Sequence, residues 1–190
     1  MSDYTGMISF IKELERLKDI TRTAWTSQGR QESVAEHSWR LCLFAFVLED
    51  HFPETNIHKV IQMCLIHDLG EAYEGDVSAK IETNQKDKLP REKSALLKLL
   101  SSLSEHSQSK FLSLWKEYVA GESKEAKLAK ALDKMETIIQ HNQGKNPSDF
   151  DYEFNLQYGR DLALHDSVLR SIRDLIDNET LHKVNGTGNR

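Results

Sequence analysis

The spacing of apolar and polar positions reads as helix along nearly the whole chain. In residues 5–20, Met7, Ile8, Ile11, Leu14 and Leu17 share one helical face. The polar stretch "TRTAWTSQGRQE", residues 21–32, reads as a loop. "SVAEHSWRLCLFAFVLED" opens the next helix at Ser33, and Glu36 completes a capping-box pattern. Pro53 and Asn56 punctuate before the apolar run "VIQMCLI" that leads to His67, and Gly70 stands where that helix can end. Residues 72–89 read as a polar loop, and Pro90 suits the first position of a helix over 90–105. "SKFLSLWKEYVA" and "SKEAKLAKALDKMETIIQH" predict two more helices, separated by Gly121. In the second, Leu128, Leu132, Met135 and Ile139 form the buried stripe. "DSVLRSIRDLIDNETLHKV" is the last helix, and the tail 185–190 is expected to fray. No convincing period-two alternation, internal repeat or linker breaks this pattern. The expected fold is all-α: a single-domain helical bundle over residues 1–184.

Composition changes this picture little. A chain of 190 residues can bury a full core, and nine Gly with three Pro favour helices over a turn-rich β fold. A charged fraction of 29% and a net charge of −5 give no basic bias toward polymeric nucleic acid or a membrane surface. Cys42 and Cys64 lie in apolar segments and read as reduced core thiols. The N-terminus lacks the basic start and apolar run of a signal peptide, and no stretch approaches the roughly 20 apolar residues of a membrane span. A cytoplasmic protein is expected.

Candidate chemistry comes from polar groups placed on apolar faces. His37 shares a helical face with Leu41, Phe44 and Leu48. His67 ends an apolar run in register with Val60 and Cys64, and Asp68 is beside it. A lone core histidine is ordinarily a satisfied structural residue. Two of them with an adjacent carboxylate are different, because a buried unpaired carboxylate costs several kcal/mol and a divalent cation removes that cost. Asp133, beside the apolar stripe of its helix, supplies a second carboxylate. His37, His67, Asp68 and Asp133 therefore form a candidate ligand set for one divalent metal, with positions left for water and substrate.

The ordered set "VAEHSWR", "HDLGE" and "ALDKMET" resembles the HD-domain metal-dependent phosphohydrolases, from about residue 5 to residue 180. With "LKDITRTAW" and "HDLGEAYEGDV", it is most similar to their 5′-deoxynucleotidases, which remove phosphate from deoxynucleoside 5′-monophosphates. The resemblance implies that His37, His67, Asp68 and Asp133 bind the metal, and that Glu71 and Asp76 handle the attacking water and the proton transfers. It also implies that Arg22 and Trp25 contact the nucleotide. In some bacterial members this Arg and Trp are adjacent; here two residues intervene. The chemistry fits independently. Glu71 is placed to act as general base, Asp76 as donor to the leaving oxygen or as water-orienter, and Arg22 as a bidentate phosphate clamp. Gly75 lets the loop turn Asp76 back toward the site.

One metal is expected, because only His106 lies between the HD pair and Asp133, in a polar context. Manganese, iron, cobalt, nickel and zinc all suit the mixed donor set. The expected ligand is a small nucleotide, and a homodimer is expected from the family. Three other readings stand beside this one: an HD hydrolase of another phosphate ester or nucleotide, a metal-stabilised helical module that binds nucleotides without turnover, and a plain interaction scaffold.

Overall fold

The structure, a computed structural model, describes residues 4–76 and 85–187. Its elements run α1 (Tyr4–Glu13), α2 (Arg16–Asp19), β1 (Thr21–Trp25), β2 (Gln31–Ser33), α3 (Val34–Val47), a 3₁₀ turn (Glu49–His51), α4 (Ile57–Ile66), α5 (Glu71–Glu74), α6 (Gln85–Leu100), α7 (Glu105–Ala120), α8 (Lys124–Gln143), α9 (Glu153–Gln157), α10 (Arg160–Ala163) and α11 (Ser167–Thr187).

The helical expectation holds, and α3, α4, α7 and α8 each start at a side-chain cap. Ser33 Oγ accepts from Glu36 N–H while the Glu36 carboxylate accepts from Ser33 N–H, so the capping box is closed. Asn56, Ser104 and Ser123 cap α4, α7 and α8 with side-chain oxygens. Gly121 ends α7 in the left-handed conformation. One apolar cluster joins α3, α4, α8 and α11 through Leu41, Val60, Met63, Leu132 and Ile176; a second packs Phe10, Leu17, Val34, Ile66, Leu96 and Trp115. Helix α8 runs through the centre and is buried on most of its circumference.

Several expectations change. Residues 21–32 are not a loop. They form an antiparallel hairpin pairing Thr21 with Ser33 and Trp25 with Gln31, with an irregularity between. Thr and Trp favour the strand; the polar composition hid it because one hairpin face meets a polar cavity rather than a core. The helix over 5–20 is two helices, and it is Phe10 and Leu17 that are buried while Met7, Ile8 and Ile11 are exposed. The run ending at Gly70 stops as α4 at Ile66, and α5 follows within the stretch read as loop. Helix α6 begins at Gln85, so Pro90 lies inside it, and it ends at Leu100. Helix α11 continues to Thr187, into the expected tail. Residues 77–84 of the expected loop, and 188–190 of the tail, lie outside the described residues.

Candidate metal centre and substrate cavity

Three helices bring the candidate ligands together. His37 lies in the first turn of α3, His67 is the C-cap of α4 with Asp68 next, and Asp133 lies midway along α8. His37 Nε2 is 3.2 Å from Asp133 Oδ1 and 3.8 Å from Asp68 Oδ2. His67 Nε2 is 3.0 Å from Asp68 Oδ2 and 3.8 Å from Asp133 Oδ1. Both Nε2 atoms are buried without a hydrogen-bond partner. The remaining polar atoms of the set are already engaged. His67 Nδ1 donates to the Cys64 carbonyl at 2.9 Å. Asp133 Oδ2 accepts from Tyr118 Oη at 3.2 Å and Lys134 Nζ at 2.9 Å. His37, His67 and Asp133 bring ligand atoms within 4.8 Å of one another, and Asp68, outside that set, approaches both imidazoles with Oδ2. Buried orphan imidazole nitrogens beside two carboxylates suit a divalent cation.

Electrostatics agree. Burial lowers the pKa of His67, yet Asp68 and Asp133 outweigh it and raise the pKa to about 10. Burial also opposes ionisation of Asp68, and the His67 and His37 imidazoles overcome it and hold Asp68 below the ordinary carboxylate range. Protons and a metal ion compete for the same atoms, so binding releases protons.

The centre forms part of the floor of a cavity of about 630 Å³, lined among others by Arg22, Trp25, Glu71, Asp76, Lys134 and Phe150. Arg22, on β1, donates from Nη2 to Thr137 Oγ1 at 3.0 Å, and its Nη1 lies 3.5 Å from Asp68 Oδ2. Trp25 meets Phe150 edge-on at 6.2 Å between centroids, and its carbonyl accepts from Gln140 Nε2 at 2.5 Å. Glu71 starts α5, with Oε2 buried and unpaired. Burial, then the Asp68 and Asp76 carboxylates, push Glu71 up to about 10. Gly75 has φ 75°, the conformation that favours glycine, and the chain turns there. Asp76 then accepts from the Thr23 backbone N–H; burial raises its pKa, and the facing Arg22 works the other way. Six of the eight candidate residues, Arg22, Trp25, Asp68, Glu71, Asp76 and Asp133, thus line one space, and His37 and His67 lie behind Asp68 and Asp133.

Other groups at the site were not singled out in the sequence. Lys134 Nζ sits against Asp133 and 5.1 Å from the centre of the Tyr158 ring, and it adds a cation to a cavity wall that Arg22 and Lys88 also line. Glu136 contacts His37 Nδ1, and Arg40 Nε donates to Glu136 Oε1 at 2.5 Å. Glu32, on β2, lies 3.5 Å from Arg22 Nε and 3.9 Å from Arg40 Nη2. The available signal was that Glu136 lies one turn beyond Asp133 on a helix whose neighbouring positions are apolar.

Comparison with known proteins gives one consistent result. The HD domain model matches residues 14–172. The chain is 32% identical over 140 residues to the 5′-deoxynucleotidase HDDC2 of Danio rerio, covering 73% of this chain and 69% of that protein. It is 31% identical over 166 residues to the 5′-deoxynucleotidase HDDC2 of Dictyostelium discoideum, covering 83% and 86%. The crystal structure of a predicted metal-dependent phosphohydrolase from Magnetospirillum magnetotacticum MS-1 superposes with a TM-score of 0.78 at 27% identity, covering 95% of this chain and 94% of that one.

Proposed function

This chain belongs to the HD domain family, and on that premise we propose that it is a 5′-deoxynucleotidase, removing phosphate from deoxynucleoside 5′-monophosphates with one divalent metal. The observation that carries the reading is the pair of orphaned Nε2 atoms of His37 and His67, facing Asp68 and Asp133, which line a cavity together with Arg22. The relatives bearing that name support the substrate class.

A phosphomonoester dianion repels nucleophiles and needs positive charge. His37, His67, Asp68 and Asp133 would hold the metal, which when bound would supply phosphoryl charge neutralisation and acidify water. Arg22 is pre-oriented by Thr137 and Asp68 to take phosphate oxygens, and Lys134 adds charge from the other wall. Glu71 takes the proton of the attacking water. Burial and then its carboxylate neighbours raise its pKa, and a cation at the centre would offset the carboxylates' share. Asp76, tied to Thr23 and protonated more readily than an ordinary aspartate, supplies the proton for the leaving 5′-oxygen. Trp25 and Phe150 form an apolar corner for the nucleoside.

A homodimer belongs to this reading. Helix α3 exposes Trp39 (64%), Leu43 (44%), Phe46 (56%) and Val47 (69%) at helical spacing, an apolar stripe suited to a second copy. Among the described residues, no helix is long and apolar enough to cross a membrane.

The test is phosphate release from paired deoxy- and ribonucleoside 5′-monophosphates, with chelator-stripped protein resupplied with cobalt, manganese or magnesium. Metal-dependent release favouring the deoxy substrates is expected. Tight metal and nucleotide binding without release by any metal would leave a binding module instead.

A further inference from the structure

The two metal-facing histidines are held in different ways. His67 stands at the C-terminus of α4, where the last four carbonyls have no helical donor, and the Cys64 carbonyl takes its Nδ1–H at 2.9 Å. His37 stands in the first turn of α3, where carbonyls are consumed by the helix that follows. No local acceptor is on offer there. The partner comes instead from 99 positions away: Glu136 on α8, fully buried, with Oε2 against His37 Nδ1. Its other oxygen is taken by Arg40 of α3, whose Nε donates at 2.5 Å.

Glu32, His37 and Glu136 bring potential ligand atoms within 4.8 Å of one another, which raises the question of a second metal. The surroundings argue against it. Arg40 contacts Glu136 and lies 3.9 Å from Glu32, and Arg22 lies 3.5 Å from Glu32. Two guanidiniums already neutralise the two carboxylates, and they would repel a cation. The cluster is a charge network that meets the metal centre at His37 and, through Arg22, at Asp68.

We propose that Glu136 is a positioning residue: it holds the Nδ1–H tautomer of His37 so that the Nε2 lone pair faces the metal, while Arg40 fixes the carboxylate in place. A metal-ligating imidazole must keep its proton on the far nitrogen, and a carboxylate can only accept there. This role rests on His37 being a ligand in the proposed hydrolase.

The arrangement makes the isosteric variant informative. A glutamine at 136 has one acceptor and one donor for two donors, His37 Nδ1–H and Arg40. Arg40 is always charged and claims the oxygen. The amide NH₂ then faces His37 Nδ1 and drives the proton to Nε2, where the metal should bind. Removing Arg40 as well frees the amide to turn its oxygen to His37.

The experiment is Co²⁺ titration of chelator-stripped protein, by calorimetry and visible absorption, for wild type, Glu136→Gln, Arg40→Met and the double variant. Thermal unfolding checks each fold. Glu136→Gln is expected to weaken Co²⁺ binding by about 10–100-fold. The double variant should recover most of that loss, and Arg40→Met alone, which keeps the Glu136 carboxylate as acceptor, should weaken binding less than Glu136→Gln does. A purely structural role predicts instead that the double variant is the worst of the four. Wild-type Co²⁺ affinity in a folded Glu136→Gln would also overturn the proposal. Because the readout is metal binding, it stands apart from turnover. Wild type that binds Co²⁺ through His37 but releases no phosphate would sink the hydrolase reading and leave the positioning role intact; no Co²⁺ binding by wild type would sink both.

Discussion

Residue scale decides the chemistry. Glu71 is buried with one oxygen unpaired, beside but not among the four candidate ligands. Glu71→Gln is therefore expected to keep the metal and to lower kcat by about 10²–10⁴-fold, the usual loss for a general base. Metal content and steady-state kinetics check it; a rise in KM with kcat unchanged would make Glu71 a binding residue. Substrate choice is a second matter at this scale. Trp25, edge-on to Phe150, offers an apolar wall to the sugar. A ribose 2′-hydroxyl buried there without a partner costs about 1–3 kcal/mol. Trp25→Ala should narrow the deoxy-over-ribo ratio of kcat/KM, whereas Arg22→Ala should weaken both substrates together, since both carry the phosphate. An unchanged ratio in Trp25→Ala would return Trp25 to a packing role.

At the scale of elements, what matters is how helix ends aim side chains. The α3 capping box stands directly before His37, so the first turn that carries this ligand is held by Ser33 and Glu36. Ser33→Ala should destabilise the fold by about 1 kcal/mol, read as a lower midpoint in denaturant. Glu36 also pairs with Arg30, and these hydrogen bonds lower its pKa from 4.5 to about 2. A depressed folded pKa gives stability that is present above 4.5 and lost as pH falls through about 2. Acid unfolding of the wild type should therefore include a component that Glu36→Gln lacks, and identical acid limbs in the two proteins would remove Glu36 from this role. The hairpin teaches the converse lesson. Its residues carry the strand signal of Thr and Trp, but only its pairing across Thr21 and Ser33, and the Gln140 contact to the Trp25 carbonyl, reveal that it is a cavity wall.

For the whole molecule the open matter is assembly. A stripe of Trp39, Leu43, Phe46 and Val47 on one helix is costly to leave in water. Light scattering after size exclusion should give twice the 21.9 kDa chain mass, and Phe46→Arg should return the monomer, since exposed Phe46 is not needed for the monomer fold. A wild-type monomer at micromolar concentration would remove the dimer from the reading.

Much of this protein is legible in its sequence, because the signals are local. Helical period, the capping box at Ser33, the punctuation at Asn56, and polar residues on apolar faces each depend on neighbours within a few positions. That is why His37, His67, Asp68 and Asp133 stand out from the other histidines and carboxylates. What the fold alone decided is long-range and polar. The reach of Glu136 to His37 across 99 positions, the lodging of Glu32 between Arg22 and Arg40, and the turning of Lys134 into the cavity leave no periodic trace. Apolar burial is non-directional and writes itself into spacing, whereas a hydrogen bond needs two atoms brought within about 3 Å, which packing alone determines.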